Sequence, residues 1–79
     1  MSYPSNKPLP PGIYHWKLII AGPGANGREA RWPGNGAYRV APGDTITALD
    51  VLETARTDCA RELGIPLHTA KVFNFTLRS

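Results

Sequence analysis

The chain contains one segment with the pattern of a long helix, and this limits the folds open to it. The segment runs from about Thr47 to Leu63. Thr47 stands three residues before Asp50, which is the spacing of a capping box. Gly64 followed by Pro66 is typical of a helix end. Because one helix covers one face of a sheet, the opposite face must meet water or a partner.

The apolar residues of this segment recur at helical spacing, which predicts the side that faces the core. This stripe comprises Ala48, Val51, Leu52, Ala55, Cys59 and Leu63. The side that faces away carries Asp50, Glu53, Thr57, Asp58 and Arg61. Asp44 is a second residue that can cap the helix. The pattern indicates a surface helix that buries one stripe.

Strand patterns lie before the helix. Residues 13–21 are the clearest strand, and apolar residues on both of its faces favour a central position. Two pairs that are typical of hairpin turns follow, Asn26-Gly27 and Asn35-Gly36. They predict an antiparallel meander in which a short strand at 28–32 is followed by another at 37–41.

A last strand is predicted after the helix, over about residues 68–77. Its alternation places Phe73, Phe75 and Leu77 on one side and Val72, Asn74 and Thr76 on the other. The fold class that follows is α+β, with a small, mostly antiparallel sheet in the order βββαβ and one helix packed on one face.

The 79 residues are enough for one small domain with a thin core. Residues 1–11 hold four of the eight prolines and little that can pack, so we expect a flexible, proline-rich N-terminal arm. Residues 12–79 are then the single α+β domain. The sequence shows neither a membrane span nor a secretory signal, and we expect a cytoplasmic protein that does not contact a membrane.

Charge is unevenly distributed along the chain. The formal net charge is +3, but residues 1–43 carry five Lys and Arg against one Glu, whereas residues 44–65 carry five acidic residues against two Arg. This segregation is typical of a protein with one basic and one acidic surface, although ordinary solvated charge gives the same pattern.

Catalytic and ligand-binding motifs are weak. Cys59 is the only cysteine, and His15 and His68 are the only imidazoles, so the sequence predicts no metal site and no catalytic group. A G-x-G-x-x-G pattern at residues 22–27 follows a strand but opens no helix, which argues against a dinucleotide site. We therefore expect a protein that is not an enzyme and that holds no cofactor.

The segment Arg28 to Trp32 is the most suggestive feature, because arginine beside an aromatic residue suits base stacking and phosphate contact. Alternation also allows Trp32 to complete the core. In that case the open sheet face is basic and polar, with His15, Lys17, Arg31, Arg39, Asn74, Thr76 and Arg78. The residues that we expect to contact a partner are Lys17, Arg28, Arg31, Trp32 and Arg39.

These features predict a small non-enzymatic interaction or regulatory module. We expect it to act through contacts with another protein chain and to self-associate as a homo-oligomer, because one helix leaves Ile13, Ile19 and Val72 on the open side. The alternative is an accessory protein that binds nucleic acid through the basic β-meander.

Overall fold

The computed structural model describes residues 7–79. The elements are β1 (Gly12–Pro23), β2 (Glu29–Val40), α1 (Ala48–Leu63) and β3 (Lys71–Arg78), with a short 3-10 helix (Leu67–Thr69) before β3. The three strands form an antiparallel sheet in the order β2-β1-β3, and α1 packs on one face of it. The α+β class and the central position of β1 are confirmed. Within residues 7–79, no helix is long and apolar enough to cross a membrane.

The predicted meander is wrong, because its two short strands are one continuous strand. β2 pairs with β1 without a register shift, from Gly12 opposite Val40 to Pro23 opposite Glu29. The turn at Asn26-Gly27 is confirmed at the hairpin tip, where Gly27 has a φ of 80°. The pair Asn35-Gly36 lies inside the strand instead. The element order is therefore ββαβ.

Core packing explains why Gly36 is part of a strand. The Trp16 indole lies against it, so closely that a Cβ added to Gly36 would be 2.5 Å from Trp16 Cζ2. Gly34 is close to the core in the same way, with Cys59 Sγ 2.8 Å from the position of a Cβ. These glycines provide room for large neighbours, which is a known reason for glycine within a strand.

The helix begins and ends as the sequence predicts. Thr47 is the N-cap, and its hydroxyl accepts a hydrogen bond from the Asp50 N–H at 3.2 Å. Gly64 ends the helix in the left-handed conformation, with a φ of 72°. Asp44 caps no helix, because its carboxylate accepts the Ala41 N–H in the preceding turn.

The predicted apolar stripe of α1 is confirmed with one exception. The buried helix residues are Ala48, Val51, Ala55, Cys59 and Ala60, and Leu52 packs partly buried against the core. The prediction that Leu63 lies in the core is wrong, because this side chain is 43% exposed. It lies in the last turn of the helix, and the next apolar residue, Ile65, is buried in the core instead.

A β-bulge changes the direction of side chains in β3. Val72 lies opposite Ile20 and Leu77 opposite Trp16, but the register shifts between these pairs. Asn74 has a φ of 55°, a left-handed conformation that Asn tolerates better than most residues. As a result Val72, Phe75 and Leu77 face the helix, whereas Phe73 faces away from it. The predicted sides of Phe73 and Val72 are therefore wrong.

The described part of the predicted arm contacts the fold. Leu9 packs partly buried against the core, and its N–H donates to the Ile46 carbonyl at 2.7 Å. The Tyr14 hydroxyl donates to the Pro10 carbonyl, also at 2.7 Å. Residues 1–6 of the predicted arm lie outside the described residues.

Candidate binding surface

The sheet has one face covered by α1 and one face without a covering element, which we call the open face. In β2 the residues toward α1 are partly or fully buried, and the alternate residues are exposed. Across the three strands the open face comprises Ile13, His15, Lys17, Ile19, Ala21, Pro23, Glu29, Arg31, Pro33, Asn35, Ala37, Arg39, Lys71, Phe73, Thr76 and Arg78.

The structure brings together three of the five predicted contact residues. Lys17, Arg31 and Arg39 all lie on the open face. Arg28 is in the hairpin tip, where its N–H donates to the Asn26 side chain. Trp32 lies on the opposite side of β2 and packs partly buried against the core. Trp32 is therefore placed with the core, as the alternation allowed, and not on the open face.

One end of the open face carries three Lys and Arg side chains and one His. This basic end consists of His15, Lys17, Arg39 and Arg78. His15 pairs with Arg78 in the ladder, and Lys17 lies between Asn35 and Thr76. Within residues 7–79, none of the three Lys and Arg side chains makes a salt bridge. Their charge is thus available to an anionic partner.

The other end carries a partly buried aromatic ring beside two cations and one carboxylate. This aromatic end consists of Glu29, Arg31, Lys71 and Phe73. The Arg31 guanidinium lies over the Phe73 ring, 4.5 Å from its centroid. Glu29 is 3.5 Å from Arg31 and 3.8 Å from Lys71. These exposed ion pairs contribute little free energy, so the charges can be redirected to a ligand.

The sequence reasoning missed Lys71 and Phe73 as members of this surface. Strict alternation places Phe73 in the core, and only the bulge at Asn74 turns it outward. The available signal was Asn itself, because this residue is depleted in strands and enriched where φ is positive.

The two layers of the molecule carry opposite charge. The open face has five Lys and Arg against one Glu, a net charge of +4. Helix α1 has four Asp and Glu against two Arg, a net charge of −2. Both helix arginines lie near carboxylates, at 2.9 Å for Arg56 and Glu53 and at 3.8 Å for Arg61 and Asp58. The sheet side of the molecule is therefore electropositive and the helix side electronegative.

The free edge of β2 is poorly suited to pairing with another strand. Pro33 lies in the middle of β2 and has no N–H to donate. Arg31 and Arg39 flank it on the same strand. Proline and charged side chains are the features by which natural sheets prevent edge-to-edge association. This edge of the sheet is therefore protected against pairing with a further strand.

The thiol and the imidazoles do not form a reactive cluster. Burial raises the pKa of Cys59 above its ordinary value, and the nearby Glu62 and Asp58 carboxylates raise it further. The thiol is therefore protonated at neutral pH, the form that is a poor nucleophile. His15 is on the open face and His68 is in the 3-10 helix after α1. Among residues 7–79 no group of three His, Cys, Asp or Glu side chains is placed to hold a metal ion.

Comparisons of the chain with protein-family models, curated proteins and solved structures find no match. The chemistry of the open face is therefore the basis on which a function is inferred. That chemistry is a cationic sheet face on which one guanidinium lies over a partly buried aromatic ring.

Proposed function

We propose that this chain is a non-enzymatic binding module whose open face contacts nucleic acid. The observation that carries the proposal is the basic end, where three Lys and Arg side chains share one face and form no salt bridge with any described residue. Phosphate groups attract such cations and release condensed counterions when they are neutralised. Nucleic acid, the alternative that the sequence offers, is favoured because the Arg31 guanidinium stacked on the partly buried Phe73 ring adds a planar group to the cations.

The dimensions of the open face suit an extended backbone of phosphates. Arg31 and Arg39 are eight residues apart on one strand, a distance of about 26 Å. Lys17 lies between them, opposite Asn35. Asn35 and Thr76 flank Lys17 with further hydrogen-bond donors. Cations and donors thus line a path along the sheet that several phosphates can follow.

Association of two copies through their open faces is disfavoured by charge. Each face has a net charge of +4, so apposed faces would repel each other and would leave Lys17, Arg39 and Arg78 without counter-charges. A protein partner remains the second candidate, favoured by Ile13, which is 56% exposed beside the cations. Such a partner would be acidic, and its binding would not require phosphates.

The proposal is tested by the salt dependence of binding to an oligonucleotide. We expect the double variant Lys17→Ala/Arg39→Ala to lose most of its affinity at low salt. Two lost phosphate contacts on a single strand should reduce the slope of log K against log salt by about 1.4. Fluorescence anisotropy of a labelled oligonucleotide, measured over a series of salt concentrations, gives both quantities.

A matched control removes the same two residue types elsewhere. Lys7 and Arg61 are exposed and lie outside the open face. Lys7→Ala/Arg61→Ala changes net charge equally, and it should leave the salt slope nearly unchanged. Equal losses in both variants would show that binding depends only on net charge. No retention of the wild-type chain by any oligonucleotide at low salt would refute the proposal, and sedimentation of a dimer instead would favour self-association.

A further inference from the structure

We infer that the open face takes an unpaired base on the Arg31–Phe73 stack, so that it binds single-stranded nucleic acid in preference to duplex. The inference rests on the proposed function and specifies its ligand. The observation that leads to it is a planar cation supported on an aromatic ring, both on an otherwise cationic face.

The geometry of the stack leaves one planar surface for a ligand. Phe73 is partly buried beside its ladder partner Ile19, and the Arg31 guanidinium covers the ring at 4.5 Å from the centroid. The side chain of Arg31 is nevertheless 59% exposed. Its outer plane is therefore accessible, and guanidinium planes as well as aromatic rings stack on nucleobases.

The neighbours of Arg31 place a second cation beside it. Arg31 and Lys71 flank Ala21 in the ladder, and Ala21 is fully covered between them. Glu29 accepts a hydrogen bond from Arg31 at 3.5 Å and lies 3.8 Å from Lys71, so the two cations lie beside one carboxylate. Lys71 is then placed to contact the phosphate of the same nucleotide whose base lies on Arg31. The stack thus combines a base contact with a phosphate contact.

A duplex cannot use this site without cost, because its bases are already stacked and only their edges are accessible. A single strand can turn a base onto the guanidinium, and each stacked base contributes roughly 1–3 kcal/mol, or about fivefold or more in affinity. The basic end, by contrast, attracts the phosphates of either form. Selectivity for the single strand is therefore a property of the aromatic end alone.

Two variants test the stack while keeping charge or volume. Arg31→Lys keeps the charge and removes the planar group, and Phe73→Leu keeps an apolar side chain and removes the ring. Each should lose at least about fivefold in affinity for a single strand and should leave duplex affinity unchanged. Arg61→Lys is the matched control on the helix, outside the open face, and should alter neither affinity. Unfolding midpoints measured for all three variants show whether the fold is intact.

The probe is a DNA strand of roughly 15 nucleotides that contains 2-aminopurine, used alone and annealed to its complement. Stacking on neighbouring bases quenches the fluorescence of 2-aminopurine, so the wild-type chain should raise the fluorescence of the single strand by turning this base onto Arg31, and Arg31→Lys should not. Equal, salt-dependent binding of both forms without a change in fluorescence would overturn the stacking inference and leave the proposed function standing. Binding of neither form at low salt would overturn both.

Discussion

Gly36 lies against the indole of Trp16, and this contact decides the conformation of the segment around it. An Asn-Gly pair is a strong turn signal because both residues accept positive φ. Here Gly36 remains in the strand, since its small size lets the Trp16 ring approach the backbone. Burial of a large ring contributes more free energy than the turn preference of two residues.

We expect Gly36→Ala to destabilise the fold. Replacing glycine by alanine at a position with compatible backbone usually stabilises by about 0.4–1 kcal/mol. The new Cβ would lie 2.5 Å from Trp16 Cζ2, and overpacking of this kind costs about 1–3 kcal/mol. The net effect should be a loss of about 1–2 kcal/mol, measured by urea unfolding with tryptophan fluorescence. Asn35→Ala, on the exposed side, should change stability little, and a more stable Gly36→Ala variant would contradict the Trp16 contact.

At the scale of elements, helix α1 is shorter than strands β1 and β2, and this difference determines which part of the hairpin the helix leaves uncovered. The 16 residues of α1 span about 24 Å, whereas the 12 residues of β1 or β2 span about 40 Å. The hairpin therefore extends beyond the helix, which agrees with the elongated dimensions of 45 × 24 × 18 Å. A single helix of this length leaves the whole opposite face without cover.

The bulge in β3 is the element on which the position of Phe73 depends. Asn74 adopts a φ of 55°, which costs a β-branched residue at least about 1–2 kcal/mol. We expect Asn74→Val to lower the free energy of unfolding by that amount, and Asn74→Gly to change it by less than about 1 kcal/mol. Thr76→Val provides a control at a position of extended backbone in the same strand. Equal stability of Asn74→Val and wild type would mean that β3 is regular and that Phe73 faces the core.

The sequence predicts the parts of the fold that local chemistry specifies. The capping box at Thr47, the stop at Gly64 and the apolar stripe with Val51 at its centre are local patterns, and the helix follows from them. The predicted strand break at Asn35-Gly36 is wrong, because the tertiary contact between Gly36 and Trp16 outweighs the local preference for a turn. The predicted side of Phe73 is wrong for a related reason, since the left-handed residue Asn74 reverses the alternation of side chains along β3.

The residues of the candidate surface can be predicted from the sequence to about the same degree as the fold. Arg31 and Arg39 are eight residues apart, so alternation along the regular strand β2 places them on one face, and alternation along β1 places Lys17 on the same side. Their common face can therefore be predicted from the sequence. Phe73 and Lys71 precede the bulge, and their place on the surface depends on a register that composition does not specify.

At the scale of the whole molecule, the residues before β1 join the two layers. Leu9 packs against the core, its N–H is bonded to Ile46 in the loop before the helix, and Pro8 forms a bridge with Thr47. Pro10 accepts the Tyr14 hydroxyl from β1. The start of the sheet is thus tied to the start of the helix, a connection that a proline-rich arm did not suggest.

We expect a chain that starts at Gly12 to be less stable than one that starts at Lys7. Removing Leu9 exposes apolar surface of the core, and two hydrogen bonds at 2.7 Å are lost, each contributing about 1 kcal/mol. The free energy of unfolding should fall by about 2–3 kcal/mol, which lowers the melting temperature by roughly 10–20 °C in a domain of this size. Leu9→Ala in the longer chain should reproduce part of the loss, whereas Lys7→Ala should not. Coincident melting curves for the two chain lengths would show that the contacts of Leu9 and Pro10 contribute nothing to the stability of the fold.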